Sequence, residues 1–316
     1  MKERLLKIDV LKGIAIVLVV IGHLIYQSPE QQNTLLFKLI YSFHVPLFMF
    51  LSGFLTYGKE IKIKKKFLTL VIPFLVWYLI KVLIISGNLD LYKIIVDFKD
   101  LMFAPDIGLW FLWVLFLIFC VFKIIQVLAQ KTKDYSTIMT FLAVNLLIQI
   151  PQTSFLGLHL LQMHFVYWGV GFYFAKYRKQ FKKNTINPIL LIVLFILLLS
   201  GWKWSSPPDL ITSLNLGGNY HTSWLIDPLT NIYKFLTAII AIGILWISLS
   251  EKQTLINGIL SFIGRWTIGI YALHWYFLFG ESIFIKFIST LVISILISIV
   301  ISKVRLLSVI LLGDRK

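Results

Sequence analysis

The chain has 316 residues, of which 59% are hydrophobic and 14% charged, with a net charge of +16 and a mean hydropathy of +0.87. So much apolar surface excludes a soluble domain, and continuous rather than alternating apolar runs exclude a membrane β-barrel, which leaves an all-α, polytopic membrane protein. The lone Cys120 excludes a disulfide framework and a cysteine metal site.

Apolar runs predict ten transmembrane helices, at 8–27, 36–57, 67–86, 107–129, 136–150, 157–176, 187–203, 229–250, 259–280 and 283–302, forming one integral-membrane domain over 1–316. The first follows a basic N-terminus but lacks a small-residue cleavage site after residue 23, so it reads as a retained helix rather than a signal peptide. Pro151 closes the short fifth helix. The tenth runs into a basic, partly apolar tail expected to lie along the membrane interface. Neither an appended soluble domain nor inverted repeats of the transporter kind are expected.

Basic residues alternate between rich and poor connections along the whole chain. "GKEIKIKKK" (58–66) and "KYRKQFKK" (176–183) each hold five, whereas 28–35 and 151–156 hold none. With the N-terminus inside, 20 basic residues face the cytoplasm and three face outward. That bias predicts both termini in the cytoplasm of a plasma-membrane protein. It also accounts for the positive charge without nucleic acid.

Within "IDVLKGIAIVLVVIGH" (8–23), Asp9, Lys12 and His23 interrupt an otherwise apolar helix. At 100° per residue Lys12 and His23 differ by only about 20° in azimuth, and Asp9 by about 40° from His23, so all three share a face. Along the axis Lys12 and His23 are about 16 Å apart, with Lys12 inside and His23 in the outer leaflet. Lys12 alone is explained by snorkelling beside Asp9, and His23 alone by headgroup contact. Three polar groups on one face fit a bundle interior or wet cavity better.

The same topology sets His44, His159, His164 and His274 in outer helix halves and His221 in an outer loop. His159 and His164, about 140° apart on their helix, cannot hold one ion together, and no metal-binding spacing occurs. Neutral imidazoles beside an outer cavity suit proton transfer instead. Lys38, Lys81, Lys123, Lys234 and Lys286 lie near helix ends and can snorkel. Arg265, deeper in the ninth helix, either snorkels or joins Lys12 and "KIKKK" in a cationic rim suited to phosphate. The outer loop 204–228 has no periodicity, and its Trp204, Tyr220, His221 and Trp224 suit either a sugar platform or an interfacial belt.

Four blocks, the first-helix segment, "YSFHVPLFMFLSGFL" (41–55), "LWFLWVLF" (109–116) and "GRWTIGIYALHWYF" (264–277), together resemble the membrane acyltransferase-3 family. The resemblance is strongest to its branch of fucose 4-O-acetylase-like and other cell-surface glycan O-acetyltransferases. It implies transfer of an acyl group, usually acetyl from cytoplasmic acetyl-CoA as co-substrate, to a hydroxyl of a surface or lipid-linked glycan. By the same resemblance His23 is the catalytic histidine and Lys12 the basic residue linked to acyl-CoA. His44, Trp110, Tyr271 and His274 match further family blocks. Lys stands where Arg is commoner, which removes the bidentate fork for phosphate.

The residues and the resemblance together suggest that Lys12 and Arg265 hold CoA phosphates, with Trp110 and Tyr271 on the donor side. His23 would deprotonate the acceptor, His44 or His274 would orient it or stabilise an oxyanion, and Asp9 would pair with Lys12. A covalent acyl-histidine relay is the alternative chemistry. A glycan flippase and a non-catalytic partner in glycan export are the alternative functions. No bound cofactor is expected; lipid, acyl-CoA and glycan are the expected partners, with a homo-oligomer or glycan-assembly partners left open.

Overall fold

The computed structural model describes residues 6–27, 29–32, 34–86, 95–96, 98–99, 101, 109–129, 134–149, 153–180, 187–204, 206–213, 223–250, 252–277 and 281–314. The elements that build the bundle are α1 (Leu6–Tyr26), α2 (Leu35–Thr56), α3 (Ile63–Lys66), α4 (Ile72–Ser86), α5 (Trp110–Ala129), α6 (Asp134–Ile148) and α7 (Leu158–Tyr177). They continue with α8 (Pro188–Ser200), α9 (Ser223–Ser248), α10 (Leu255–Arg265), α11 (Thr267–Leu273), α12 (Ile283–Lys303) and α13 (Arg305–Leu312). No strand occurs among the described residues. Six helices there are long and apolar enough to cross a membrane, or seven if the bent pair α10–α11 is one span. Of the other segments expected to span, Thr137–Ile148 and Pro188–Ser200 are shorter apolar helices. α7 has the length but carries His159, Gln162, His164 and Lys176.

Several helix starts follow from capping chemistry. The hydroxyls of Thr34, Thr254 and Ser282 accept from the backbone N–H of Phe37, Asn257 and Ile285 at 3.2–3.3 Å. α3 and α4 form one rod through a π-helical turn, Phe67–Val71, just before Pro73. Pro73 cannot donate to the carbonyl four residues earlier, and a widened turn accommodates its ring.

Two expectations are corrected. The continuous helix at 259–280 is instead two helices meeting at 63°, α10 and α11, broken at Trp266. Neither Pro nor a turn sequence marks the break; Gly264 packs backbone-to-backbone on α1, and Thr267 Oγ1 donates to the freed carbonyl of Gly264 at 2.7 Å. The structureless loop 204–228 is also shorter than expected, because Asp209–Ser213 is helical and α9 starts at Ser223. Pro228, placed in the loop by that expectation, lies inside α9. Tyr220, His221 and the Trp224 side chain lie outside the described residues.

α1 is the axis of the bundle, with 67% of its apolar window buried, against 22% for the peripheral α12. Glycines let two helix pairs, α1 with α10 and α2 with α7, approach at backbone distance. A Cβ on Gly13 would strike the Leu260 carbonyl, and one on Gly264 would strike that of Asp9. Across α2 and α7, Gly53 faces the Trp168 carbonyl and Gly171 that of Phe50. Such small-residue seams, rather than large apolar ridges, bring helices close in a medium as apolar as the side chains themselves. Around them Leu47, Met49, Phe122, Phe165 and Trp168 fill the main core.

Candidate active site

Lys12 and Arg265 adjoin the glycines of the α1–α10 seam, at Gly13 and Gly264. The close backbone crossing therefore sets both cations on the wall of one cavity of about 740 Å³, a size typical of small-molecule sites. Thr267, Ser302 and Asp314 add polar lining beside them. Asp9, buried, has Oδ1 3.8 Å from Lys12 Nζ. Arg265 is exposed, with its guanidinium over the Phe262 ring at 5.2 Å. Phe48, Leu51, Phe111, Leu112 and Leu115 make the rest of the wall apolar.

Further along α1, His23 meets His274. His23 Nδ1 and His274 Nε2 are 2.6 Å apart, and the ring planes lie within 19° with centroids 4.9 Å apart. Nearly parallel rings whose nitrogens approach so closely must meet edge to edge, which is the in-plane geometry of an N–H···N hydrogen bond. His274 is fully buried, in the 3-10 turn that follows α11.

The partners decide the proton positions. His274 Nδ1 lies 2.7 Å from the Tyr271 carbonyl, a pure acceptor, so Nδ1 carries the proton. In the neutral ring Nε2 then holds a lone pair and accepts from His23 Nδ1–H. That leaves His23 Nε2 as a bare lone pair, the state a general base requires. His274, with both nitrogens committed, orients His23 and has no proton to offer an oxyanion. His44 Nδ1–H likewise donates to Ile40 O at 2.7 Å, so its Nε2 is an acceptor. His44 can orient a hydroxyl, but in this tautomer cannot donate to an oxyanion.

The remaining expected residues divide. Tyr271 joins the imidazole pair to the cavity: its hydroxyl accepts from Phe111 N–H at 3.3 Å, and its ring lies 6.0 Å from His274. Trp110 is not among the residues lining the cavity and stacks on His164 at 5.3 Å. His159 Nδ1 and His164 Nδ1 are buried without hydrogen-bond partners among the described residues. Lys38 and Lys234 donate to backbone carbonyls, those of Ser200 and Trp204, at 3.4 and 2.8 Å. Exposed Trp204 packs edge-on against Tyr41 at 4.8 Å, and Tyr41 against His44 at 4.9 Å.

Sequence reasoning missed Trp275, which stacks on His23 at 4.7 Å while remaining exposed; its position beside His274 in "LHWYF" was the available signal. It also missed Phe48 and Phe111. The tail was expected at the interface, yet Leu312, Gly313 and Asp314 line the cavity, anchored by Trp77 Nε1–H donating to Leu311 O at 2.9 Å. Nothing local in the tail sequence signals that packing.

Fold and site together define a multi-pass helical membrane protein with a paired-imidazole centre beyond a cation-walled cavity. The chain matches the acyltransferase domain family over residues 5–303 and belongs to that family. It is 40% identical to the nodulation protein NolL of Mesorhizobium japonicum over 86 residues, which is 24% of this chain and 23% of that protein. It is also 40% identical to NolL of Sinorhizobium fredii over 80 residues, 22% of each. The chain thus spans under a quarter of the length of these curated relatives. No solved structure matches it significantly.

Proposed function

We propose that the chain is an integral-membrane O-acyltransferase that moves an acyl group, acetyl by preference, from cytoplasmic acyl-CoA to a hydroxyl of a surface or lipid-linked glycan. It would cross the plasma membrane ten times with both termini in the cytoplasm. Family membership sets the reaction class. One observation carries the rest: α1 presents Lys12 to the cavity and, about 16 Å further on, a His23 whose free nitrogen is a base.

In this reading Lys12 and Arg265 hold the CoA phosphates, and the thioester extends from the cavity towards His23. His23 Nε2 takes the acceptor's hydroxyl proton as the oxygen attacks the thioester carbonyl. The tetrahedral intermediate collapses with loss of the C–S bond, and the departing thiolate takes the proton back from His23. An ester and free CoA result, with no net change in protonation of the enzyme. His274 Nε2 holds the His23 ring by accepting from its Nδ1–H and stabilises the transient imidazolium, and Tyr271 carries that support to α5.

The test is transfer of labelled acetyl from acetyl-CoA to total cell-envelope glycan by the purified, reconstituted protein. Label in glycan with wild type and none with His23→Ala is expected; equal labelling by both would sink the assignment of the base. Lys12→Ala should raise the acetyl-CoA KM by roughly 10- to 100-fold, the scale of a lost charge-assisted phosphate contact, with a far smaller change in kcat. An unchanged KM would return Lys12 to a purely topological role.

A further inference from the structure

The cavity and the imidazole pair do not meet openly. Neither His23 nor His274 is among the lining residues. The Phe111 ring, on the cavity wall, stands edge-on to Phe48 at 5.6 Å and to Tyr271 at 6.0 Å. Tyr271 in turn stacks beside His274, with centroids 6.0 Å and planes 23° apart. Anything passing from the Lys12 side towards His23 therefore meets aromatic rings.

Those rings are braced. The backbone N–H of Phe111 is held by the Tyr271 hydroxyl. Phe48 and Tyr271 pack against the core around Ile16, Val20 and Ile270. A neck built this way yields little to a larger guest, because packed aromatic walls shift only at the expense of their neighbours.

We propose that Phe48 and Phe111 are the acyl-size filter of the donor site, admitting a two-carbon acyl group to the imidazoles and excluding longer chains. The proposal rests on the acyl-CoA reading of the cavity and adds to it the part of the donor that is selected. Both rings act on the acyl chain and not on the CoA phosphates, which belong to Lys12 and Arg265. Their removal should change the ratio of rates between donors. A residue that merely supports the fold would lower all donors together.

The experiment measures kcat/KM for acetyl-, butyryl- and hexanoyl-CoA with reconstituted wild type, Phe48→Ala and Phe111→Ala. Phe48→Leu and Phe111→Leu serve as milder variants that keep the core filled. Wild type should favour acetyl over butyryl by at least about tenfold, the scale on which one surplus methylene is rejected by a fitted apolar pocket. The alanine variants should narrow that ratio to about threefold or invert it, with the leucine variants between. Wild type that uses butyryl as readily as acetyl overturns the filter by itself. So does an unchanged ratio in active variants, and in both cases the acyltransferase reading stands. Failure of wild type to use any acyl-CoA overturns both, which separates the two claims.

Discussion

His23→Ala should lower the rate of acyl transfer by about 10³- to 10⁴-fold, the upper range for a positioned general base, while leaving the donor KM within a few-fold of wild type. The split between the two constants is the informative part. The cavity lining does not include His23, so donor binding should survive its loss. His274→Ala should cost less, roughly 10- to 100-fold, because it removes orientation and not the base itself. Since both rings act as one hydrogen-bonded unit, the double variant should be no worse than His23→Ala alone. Fully additive losses would mean that the two histidines act separately. Removing His23 also leaves a buried His274 nitrogen unpaired, at about 1–3 kcal/mol, so His23→Gln is the control that keeps a polar group there.

The largest structural effect is expected from Gly264→Leu. A Cβ there would strike the Asp9 carbonyl, which is backbone and cannot swing aside. Overpacking costs about 1–3 kcal/mol when side chains can adjust, and a collision with main chain exceeds that. α1 and α10 would be forced apart, with Lys12 and Arg265 on either side of the opening. The purified variant should aggregate or unfold at markedly lower temperature than wild type in the same detergent, and any folded fraction should bind acetyl-CoA weakly. Gly243→Ala is the matched control: its Cβ meets only Leu191 Cδ1, at 3.9 Å, and a mid-helix alanine is favoured by about 1 kcal/mol. A Gly264→Leu protein as stable as Gly243→Ala would show that the seam is not close-packed.

Much of this architecture is legible locally. Apolar runs locate the helices because hydrocarbon requires every backbone group to be satisfied within the segment. An eleven-residue spacing sets Lys12 and His23 on one face because helix geometry does not depend on context. What escapes is what depends on contact. The break at Trp266 follows from Gly264 lying against α1, which no property of the 259–280 run reveals. The meeting of His23 with His274, 251 positions away, is a tertiary fact, as is Phe111 N–H reaching Tyr271. Resemblance grouped the histidines by motif; only the bundle distinguishes the one with a free nitrogen from the one that holds it.

The walls of the cavity come from helices far apart in the chain, Lys12 on α1 and Leu312, Gly313 and Asp314 at the end of α13. During synthesis α1 is the first of these helices to emerge, and its Asp9, Lys12 and His23 face must wait for partners made hundreds of residues later. Until α10 and the turn after α11 arrive, Gly13 lacks the Leu260 carbonyl it packs on and His23 lacks the His274 ring, and until the tail folds back onto α4 the cavity lacks one side. The cavity therefore closes only after α13 has been made. A chain that has made α1 but not α13 holds Lys12 without the enclosure that surrounds it in the folded bundle.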